Sequence, residues 1–380
     1  MQIQSKLPNV GTTIFTVMSQ LAAEHRAINL SQGFPDFEAP TALIERVSHH
    51  MRQGMNQYAP MQGVPLLRER IARKVQALYQ ARIEPETEIT VTAGATEALY
   101  AAITAVVRPG DEVIVLEPAY DSYVPAIQLS GGVPRFVPLT FPDYRVDWDR
   151  VRDTLTSRTR MIILNSPHNP TGTVLTADDI TALEAISAHS DLFILSDEVY
   201  EHIIFDGQPH QSMLRHPVLA ARSFVVSSFG KTYHTTGWKI GYCIAPASLS
   251  AELRKIHQFL TFTANTPVQL AYADFMKETG HYEALAEFYQ NKRNLFRGLV
   301  RESRFKPLPC TGTYFQMLDY SAITDEPDIA FARRLTTAYG VAAIPPSVFY
   351  HDGRDHKTLR FCFAKQDQTL DQAAAILCRL

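Results

Sequence analysis

Cysteine is scarce in this 380-residue chain: Cys243, Cys310, Cys362 and Cys378 are scattered, and no CxxC pair occurs. That excludes a disulfide-stapled scaffold, argues against a thiolate metal site, and points to a reduced, cytoplasmic setting. A basic excess is missing too. The formal net charge is −3, whereas a dedicated nucleic-acid binder carries a positive surplus. Long apolar runs are absent. The stretch from Ala98 to Val107 ends at Arg108, well short of the roughly 18–20 residues that a membrane span needs. The opening Met1-Gln-Ile-Gln-Ser-Lys6 has no apolar signal core, so no membrane partner is expected. Internal repeats and low-complexity segments are lacking as well.

Several familiar fingerprints also fail. No Gly-rich dinucleotide motif follows the first strands. Gly230-Lys231-Thr232 looks like the end of a P-loop, but that motif needs a glycine five residues before Gly230, where Val225 stands. His351 and His356 flank a glycine-containing loop without the i, i+4 spacing of a helical zinc site, and His49-His50 reads as a helix surface. No metal is expected.

What is present is an ordinary globular composition, 46% hydrophobic and 20% charged. The length suggests more than one core. Short apolar runs predict strands at Ile89–Thr92, Glu112–Glu117, Arg135–Leu139, Met161–Asn165, Leu192–Ser196, Phe224–Ser228 and Ile240–Ala245. Helical patterns lie between several of them, at Thr96–Val107, Asp121–Leu129 and Ala177–Ala188. Unbroken Val/Ile/Leu strands alternating with helices indicate an α/β fold with a mostly parallel sheet covered on both faces. The first forty residues read as loop-rich. After Pro246 the pattern turns to long amphipathic stretches, notably His281 to Arg304, with Tyr289, Leu295, Phe296 and Leu299 among polar neighbours. We therefore expect an arm over 1–40, a large domain over 41–277 and a smaller α+β unit over 278–380.

Chemically distinctive residues gather just past the carboxyl ends of predicted strands. Gly94-Ala95-Thr96, Tyr120, Asn165 and Asn169, Asp197 and Tyr200, and Ser228 and Lys231 follow five different strands. Open α/β sheets bind ligands in that crevice. A glycine turn opening a helix suits a phosphate. A lysine amine captures a carbonyl as an imine, and a carboxylate keeps a pyridine nitrogen protonated. Pyridoxal 5′-phosphate (PLP) makes all three demands at once.

The segment Ser227-Ser-Phe-Gly-Lys-Thr-Tyr-His-Thr-Thr-Gly-Trp-Lys-Ile-Gly-Tyr242 resembles the lysine signature of class I/II, fold-type I aminotransferases. Asn165-Ser-Pro-His-Asn-Pro-Thr-Gly172, Ser196-Asp-Glu-Val-Tyr200, Leu359-Arg-Phe-Cys-Phe363, Asn29-Leu-Ser-Gln-Gly-Phe-Pro-Asp-Phe37 and Asn56-Gln-Tyr-Ala-Pro60 resemble other blocks of the family, in order. Within it, the nearest likeness is to bacterial enzymes acting on methionine and to kynurenine–oxoglutarate transaminases.

The resemblance implies residue roles. Lys231 would hold PLP as a Schiff base and then move the α-proton of the substrate. Ala95, Thr96, Ser228 and Lys239 would hold the phosphate, and Asp197 the pyridinium. Asn169 and Tyr200 would bind the ring 3-oxygen, and Tyr120 would stack on the ring. Arg360 would clamp the substrate carboxylate, assisted by Asn165 and the Gly33 backbone. Tyr58 would reach the phosphate of a neighbouring subunit, which implies a homodimer with shared sites. Ile14, Phe15, Phe34, Tyr123, Phe262 and Tyr314 are candidates for the side-chain pocket, and no second arginine is placed for a distal carboxylate. The expected reaction is transamination between an uncharged L-amino acid and a 2-oxo acid. A carbon–sulfur β-lyase shares the scaffold and is the alternative. A PLP-binding regulator would need an added DNA-binding domain, for which the motifs leave no room.

Overall fold

The computed structural model describes residues 3–380. Met1 and Gln2, the first two residues of the opening Met1–Lys6 segment, lie outside them. The strands are β1 (Ile28–Asn29), β2 (Ile89–Thr92), β3 (Glu112–Glu117), β4 (Val133–Pro138), β5 (Thr159–Asn165), β6 (Phe193–Asp197), β7 (Ser223–Ser228), β8 (Gly241–Ile244), β9 (Lys306–Pro307), β10 (Phe315–Asp319), β11 (Val341–Ala342) and β12 (Thr358–Cys362). The central sheet has seven strands in the order β2-β8-β7-β6-β5-β3-β4. Its neighbours run parallel, except that β8 is antiparallel to both β2 and β7.

The seven predicted strands are those of this sheet, two with identical ends and the others shifted by at most two residues. Their composition explains their position. Every residue of β2, β3 and β8 is buried, as unbroken apolar runs require when both faces of a sheet are covered. One face packs on Ala98, Ile103 and Val106 of the helix Ala95–Val106, together with Leu249 and Leu253. The other forms the larger core, which continues through Tyr272 and Phe275 to Phe296, Phe361 and Leu370. The helix Ala177–Ser187 starts where the sequence signals it, since Thr176 and Asp179 form a reciprocal capping box.

Beyond the main sheet, β9, β10 and β12 make an antiparallel three-stranded sheet. β1 pairs in parallel with β11, which ties the N-terminal segment to the C-terminal third of the chain.

Three readings of the sequence need correction. The first forty residues are not all loop: Ile14–Glu24 is a helix, capped by the Thr13 side chain, with Met18 and Ala22 buried. The stretch 281–304 is not one helix but Gly280–Glu283 followed by Leu285–Leu299. The buried stripe of the latter is Leu285, Tyr289, Arg293 and Phe296. Arg293 can be buried there because Asp206 meets its guanidinium at 2.6 and 2.7 Å. His50 is not simply on a helix surface, because its Nε2 lies 2.9 Å from Asp274 on the neighbouring helix Thr266–Phe275.

Candidate active site

The chain leaves β3 toward β4 on one side of the sheet. From β5 it proceeds to β6 and β7 on the other side, so the crevice between β3 and β5 is a switch point. A cavity of about 160 Å³ opens there. It is lined by Ala95, Thr96, Tyr120, Asn165, Asn169, Asp197, Tyr200, Ser228, Lys231 and Lys239, which joins all five predicted strand ends. Gly94, Leu99, Val199, Gly230, Thr236 and Ile240 complete the wall. Gly94 was already named as part of the glycine turn. Val199, Gly230, Thr236 and Ile240 lie inside the motifs quoted above without having been singled out, and Leu99 carries no signal beyond being apolar.

Asp197 ends β6 and is almost fully buried. Burial pushes its carboxyl up to about 6, although the Tyr123 hydroxyl and the Val199 N–H pull against that shift. Tyr123 donates to Oδ2 at 2.7 Å. This corrects the placement of Tyr123 in the substrate pocket: its phenol is committed to Asp197. Tyr123 sits three residues past Tyr120, on the first turn of the helix Tyr123–Leu129, and that spacing aims it back at the sheet.

Lys231 lies on the single helical turn Phe229–Thr232 directly after β7. Its Nζ donates to the Gly33 carbonyl at 3.1 Å and faces the rings of Tyr200 and Tyr314, each 5.7 Å away. Burial lowers its amine to about 8, and the nearby Arg360 and Lys239 charges add to the effect. The tight turn before it needs glycine at 230, where a Cβ would fall 2.9 Å from Thr236 Cα.

The turn after β2 is built as a cradle. Gly94 has φ +83°, and a Cβ there would lie 3.2 Å from Lys239 Nζ. Across from it, a Cβ at residue 241 would meet the Ala95 nitrogen at 2.7 Å. Ala95 and Thr96 begin the helix, so their N–H groups have no partner within it.

Arg360, Gly33 and Tyr58 stand outside this lining. Arg360 is on β12 and is 1% exposed. Nη1 donates to Asn169 Oδ1 at 2.8 Å and Nη2 to the Ser31 carbonyl at 2.7 Å, while Nε has no partner. A buried cation whose bonds all go to neutral oxygens is an anion site in waiting. Burial lowers the Arg360 guanidinium to about 10. Phe315 and Phe15 flank it at 4.0 and 5.2 Å. Gly33 closes the other side: its carbonyl also accepts the Tyr314 hydroxyl at 2.6 Å, and a Cβ would strike Phe315 at 2.8 Å.

Asn165 braces the wall, donating to the Asp197 carbonyl at 2.9 Å and accepting from the Asn169 N–H at 2.8 Å. Because Asn169 Oδ1 serves Arg360, its Nδ2 is left as the donor facing the cavity. Tyr200 is buried, which raises its phenol above the usual range against the pull of Arg360. Tyr58 is 83% exposed and touches the exposed Phe262, edge to face at 5.4 Å. Neither enters the cavity of its own chain.

Residues 25–377 match the family described as aminotransferase class I and II. The chain belongs to that family. It is 57% identical to methionine aminotransferase of Escherichia coli K12 over 379 residues, covering 99% of this chain and 98% of the relative. It is 33% identical to kynurenine–oxoglutarate transaminase of Dictyostelium discoideum, covering 97% and 94%. Its fold superposes with a TM-score of 0.98 on YbdL of E. coli, identified as having a methionine aminotransferase function, at 56% identity and full coverage of both chains. Aspartate aminotransferase of Thermus thermophilus, a double mutant, gives 0.91 at 29% identity, again with full coverage. The fold is thus that of the fold-type I aminotransferases, and the chemistry is exchange of an amino group between an amino acid and a 2-oxo acid. Among the described residues, no helix is long and apolar enough to cross a membrane.

Proposed function

We propose that this aminotransferase works with PLP held by Lys231, and that it takes L-amino acids with uncharged side chains, methionine foremost. The observation that carries the reading is one cavity containing both Lys231 and Asp197, a buried carboxylate in no ion pair. That pairing fits PLP. The carboxylate lacks the positive partner that a pyridinium would supply, and the Gly94–Thr96 cradle with Lys239 offers a phosphate its N–H groups and a cation.

When bound, PLP supplies an aldehyde that accepts the amino group and a ring that draws electrons from the substrate α-carbon. Ala95, Thr96, Ser228 and Lys239 would hold the phosphate end. Asp197 would keep the ring nitrogen protonated, with the Tyr123 hydroxyl fixing the carboxylate for that task. Tyr120, Asn169 and the Tyr200 hydroxyl would hold the ring. The substrate carboxylate docks on Arg360, whose unpartnered Nε provides a bond no protein group now uses, with the Gly33 N–H and Asn165 beside it. Lys231 Nζ, already lowered toward neutrality by burial, is the base that takes the proton from the substrate α-carbon and returns it. Phe15, Phe34 and Tyr314 give the side chain an aromatic wall, and the methionine aminotransferase relative supports the choice of methionine. Four free cysteines, three of them buried, suit a reducing cytoplasm. The test is direct: PLP-loaded protein mixed with single amino acids should lose its cofactor absorbance with methionine and aromatic amino acids far faster than with aspartate. Equal rates with aspartate would refute the substrate class.

Arg360→Lys should lower kcat/KM by roughly 10- to 100-fold for amino acid and oxo acid alike, since an ammonium cannot make the bidentate fork. An amine analogue lacking the carboxylate is the control. If it suffers equally, Arg360 does not bind the carboxylate.

The reading includes a homodimer. Tyr58 and Phe262 form an exposed aromatic pair, and Phe259, three residues before Phe262, is 85% exposed; a second copy covering this surface would carry Tyr58 toward the neighbouring phosphate. Tyr58→Phe should then weaken PLP retention. Mixing it with Lys231→Ala protein would create hybrid dimers with one doubly damaged and one intact site. Activity at limiting PLP should therefore reappear. No recovery despite measured subunit exchange would show self-contained sites.

A further inference from the structure

The helix Ala95–Val106 carries a carboxylate where the proposed site needs positive potential. Glu97 lies in its first turn, beside N–H groups assigned above to a phosphate. An acidic residue suits a helix N-terminus on its own, yet next to a dianion it repels the ligand.

The structure shows how that charge is met. Glu97 Oε2 accepts from the Ala93 N–H at 2.5 Å. Oε1 faces His257 Nδ1 at 2.5 Å and accepts from the Thr261 hydroxyl at 2.8 Å. His257 is 0% exposed, near the end of the helix Ala247–Leu260. Its other nitrogen, Nε2, lies 2.9 Å from the Met61 carbonyl oxygen. A carboxylate and a carbonyl only accept, so a ring bonded to both would donate from both nitrogens. Burial alone would raise the Glu97 carboxyl, but the bonds from His257, Ala93 and Thr261 outweigh it and hold it below the usual range.

Three segments meet around this ring. One is the helix start at Glu97, whose carboxylate also holds the Ala93 N–H of the turn before it; the second is the loop from Tyr58 to Gly63, through Met61; and the third is the helix end that leads into Phe262. We infer that His257 is a positioning residue for the phosphate end of the site: its charge neutralises Glu97, and its two bonds lock the turn to the loop that carries Tyr58. The inference rests on the PLP reading above.

The test uses unloaded protein and equilibrium dialysis against pyridoxamine 5′-phosphate and pyridoxamine, which differ only in the phosphate and form no bond with Lys231. The wild type should bind the phosphorylated form far more tightly. His257→Gln keeps a donor but removes the charge, so it should lose at least tenfold in affinity for the phosphorylated form, with less than threefold change for pyridoxamine. Adding Glu97→Gln to it removes the unpaired charge and should restore most of the loss, whereas a packing role would make the double variant no better than the single one. A His257→Gln protein that keeps its phosphate preference, or a double variant as weak as the single, overturns the inference. If His257→Gln does not fold, Glu97→Gln alone decides. The charge argument requires it to bind the phosphorylated form no more weakly than wild type, and a tenfold loss sinks it. A wild type that does not distinguish the two ligands overturns the phosphate site itself, and the role of His257 with it.

Discussion

Lys231→Ala should abolish amino-group transfer while the protein remains folded. The activity side follows from position: among the described residues, Lys231 is the amine placed at the Gly33 carbonyl and facing the Tyr200 and Tyr314 rings. Lys239, the second lysine of the segment, is turned toward the Gly94 cradle. The stability side follows from linkage. Burial depresses the Lys231 amine to about 8, so between that pH and its unfolded value the unfolded chain binds more protons. Unfolding is therefore favoured as pH falls through this window, and below it the buried ammonium is a standing penalty. The penalty is at most about 3 kcal/mol, and less where pocket water reaches the amine. Alanine removes it. At pH 7 the unloaded variant should melt no lower than unloaded wild type, and the wild-type gain in Tm between pH 7 and 10 should flatten. Borohydride treatment of PLP-loaded wild type followed by peptide mapping should mark Lys231. A mark on Lys239, or turnover by the alanine variant, would overturn the assignment.

The sheet was legible because its strands are unbroken runs such as Val113-Ile-Val-Leu116, which only a doubly covered strand explains. The strand-end residues were legible for a related reason. A lysine, an aspartate and an amide directly after such runs have one crevice in which to meet. Ile14–Glu24 was missed because it buries only Met18 and Ala22, and a half-exposed helix between glycine- and proline-rich segments leaves a faint periodicity. The break at Ala284 was missed because the amphipathic pattern runs through it. Tyr123 shows a different limit. Its residue type suited a substrate pocket equally well, and only the 2.7 Å bond to Asp197 assigns it. The partners of Arg360 were likewise invisible, since Asn169 and Ser31 are separated from it by 191 and 329 residues.

Asp197→Asn should cost several orders of magnitude in kcat and yet stabilise the unloaded protein. The two effects share one cause. Burial holds the Asp197 carboxyl at about 6, above its unfolded value, so the native state binds the extra proton in the interval between. Stability contributed by this group is complete below the unfolded value and is lost as pH rises through about 6, leaving an ionised carboxylate buried at pH 7 at a cost on the order of 2–3 kcal/mol. An amide carries no such charge. It keeps a partner in Tyr123, whose hydroxyl can turn to accept as well as donate. Unloaded Asp197→Asn should therefore melt higher than wild type at pH 7, and the two should converge near pH 4. That buried charge is also what a protonated ring nitrogen needs opposite it, and an amide cannot hold the proton there. With PLP bound, the stability order should reverse, because only the carboxylate gains a cation. Melting curves with and without PLP, at pH 4 to 8, separate the outcomes. A variant that is active within a few-fold of wild type, or that gains as much from PLP as wild type does, would show that Asp197 faces something other than the pyridine nitrogen.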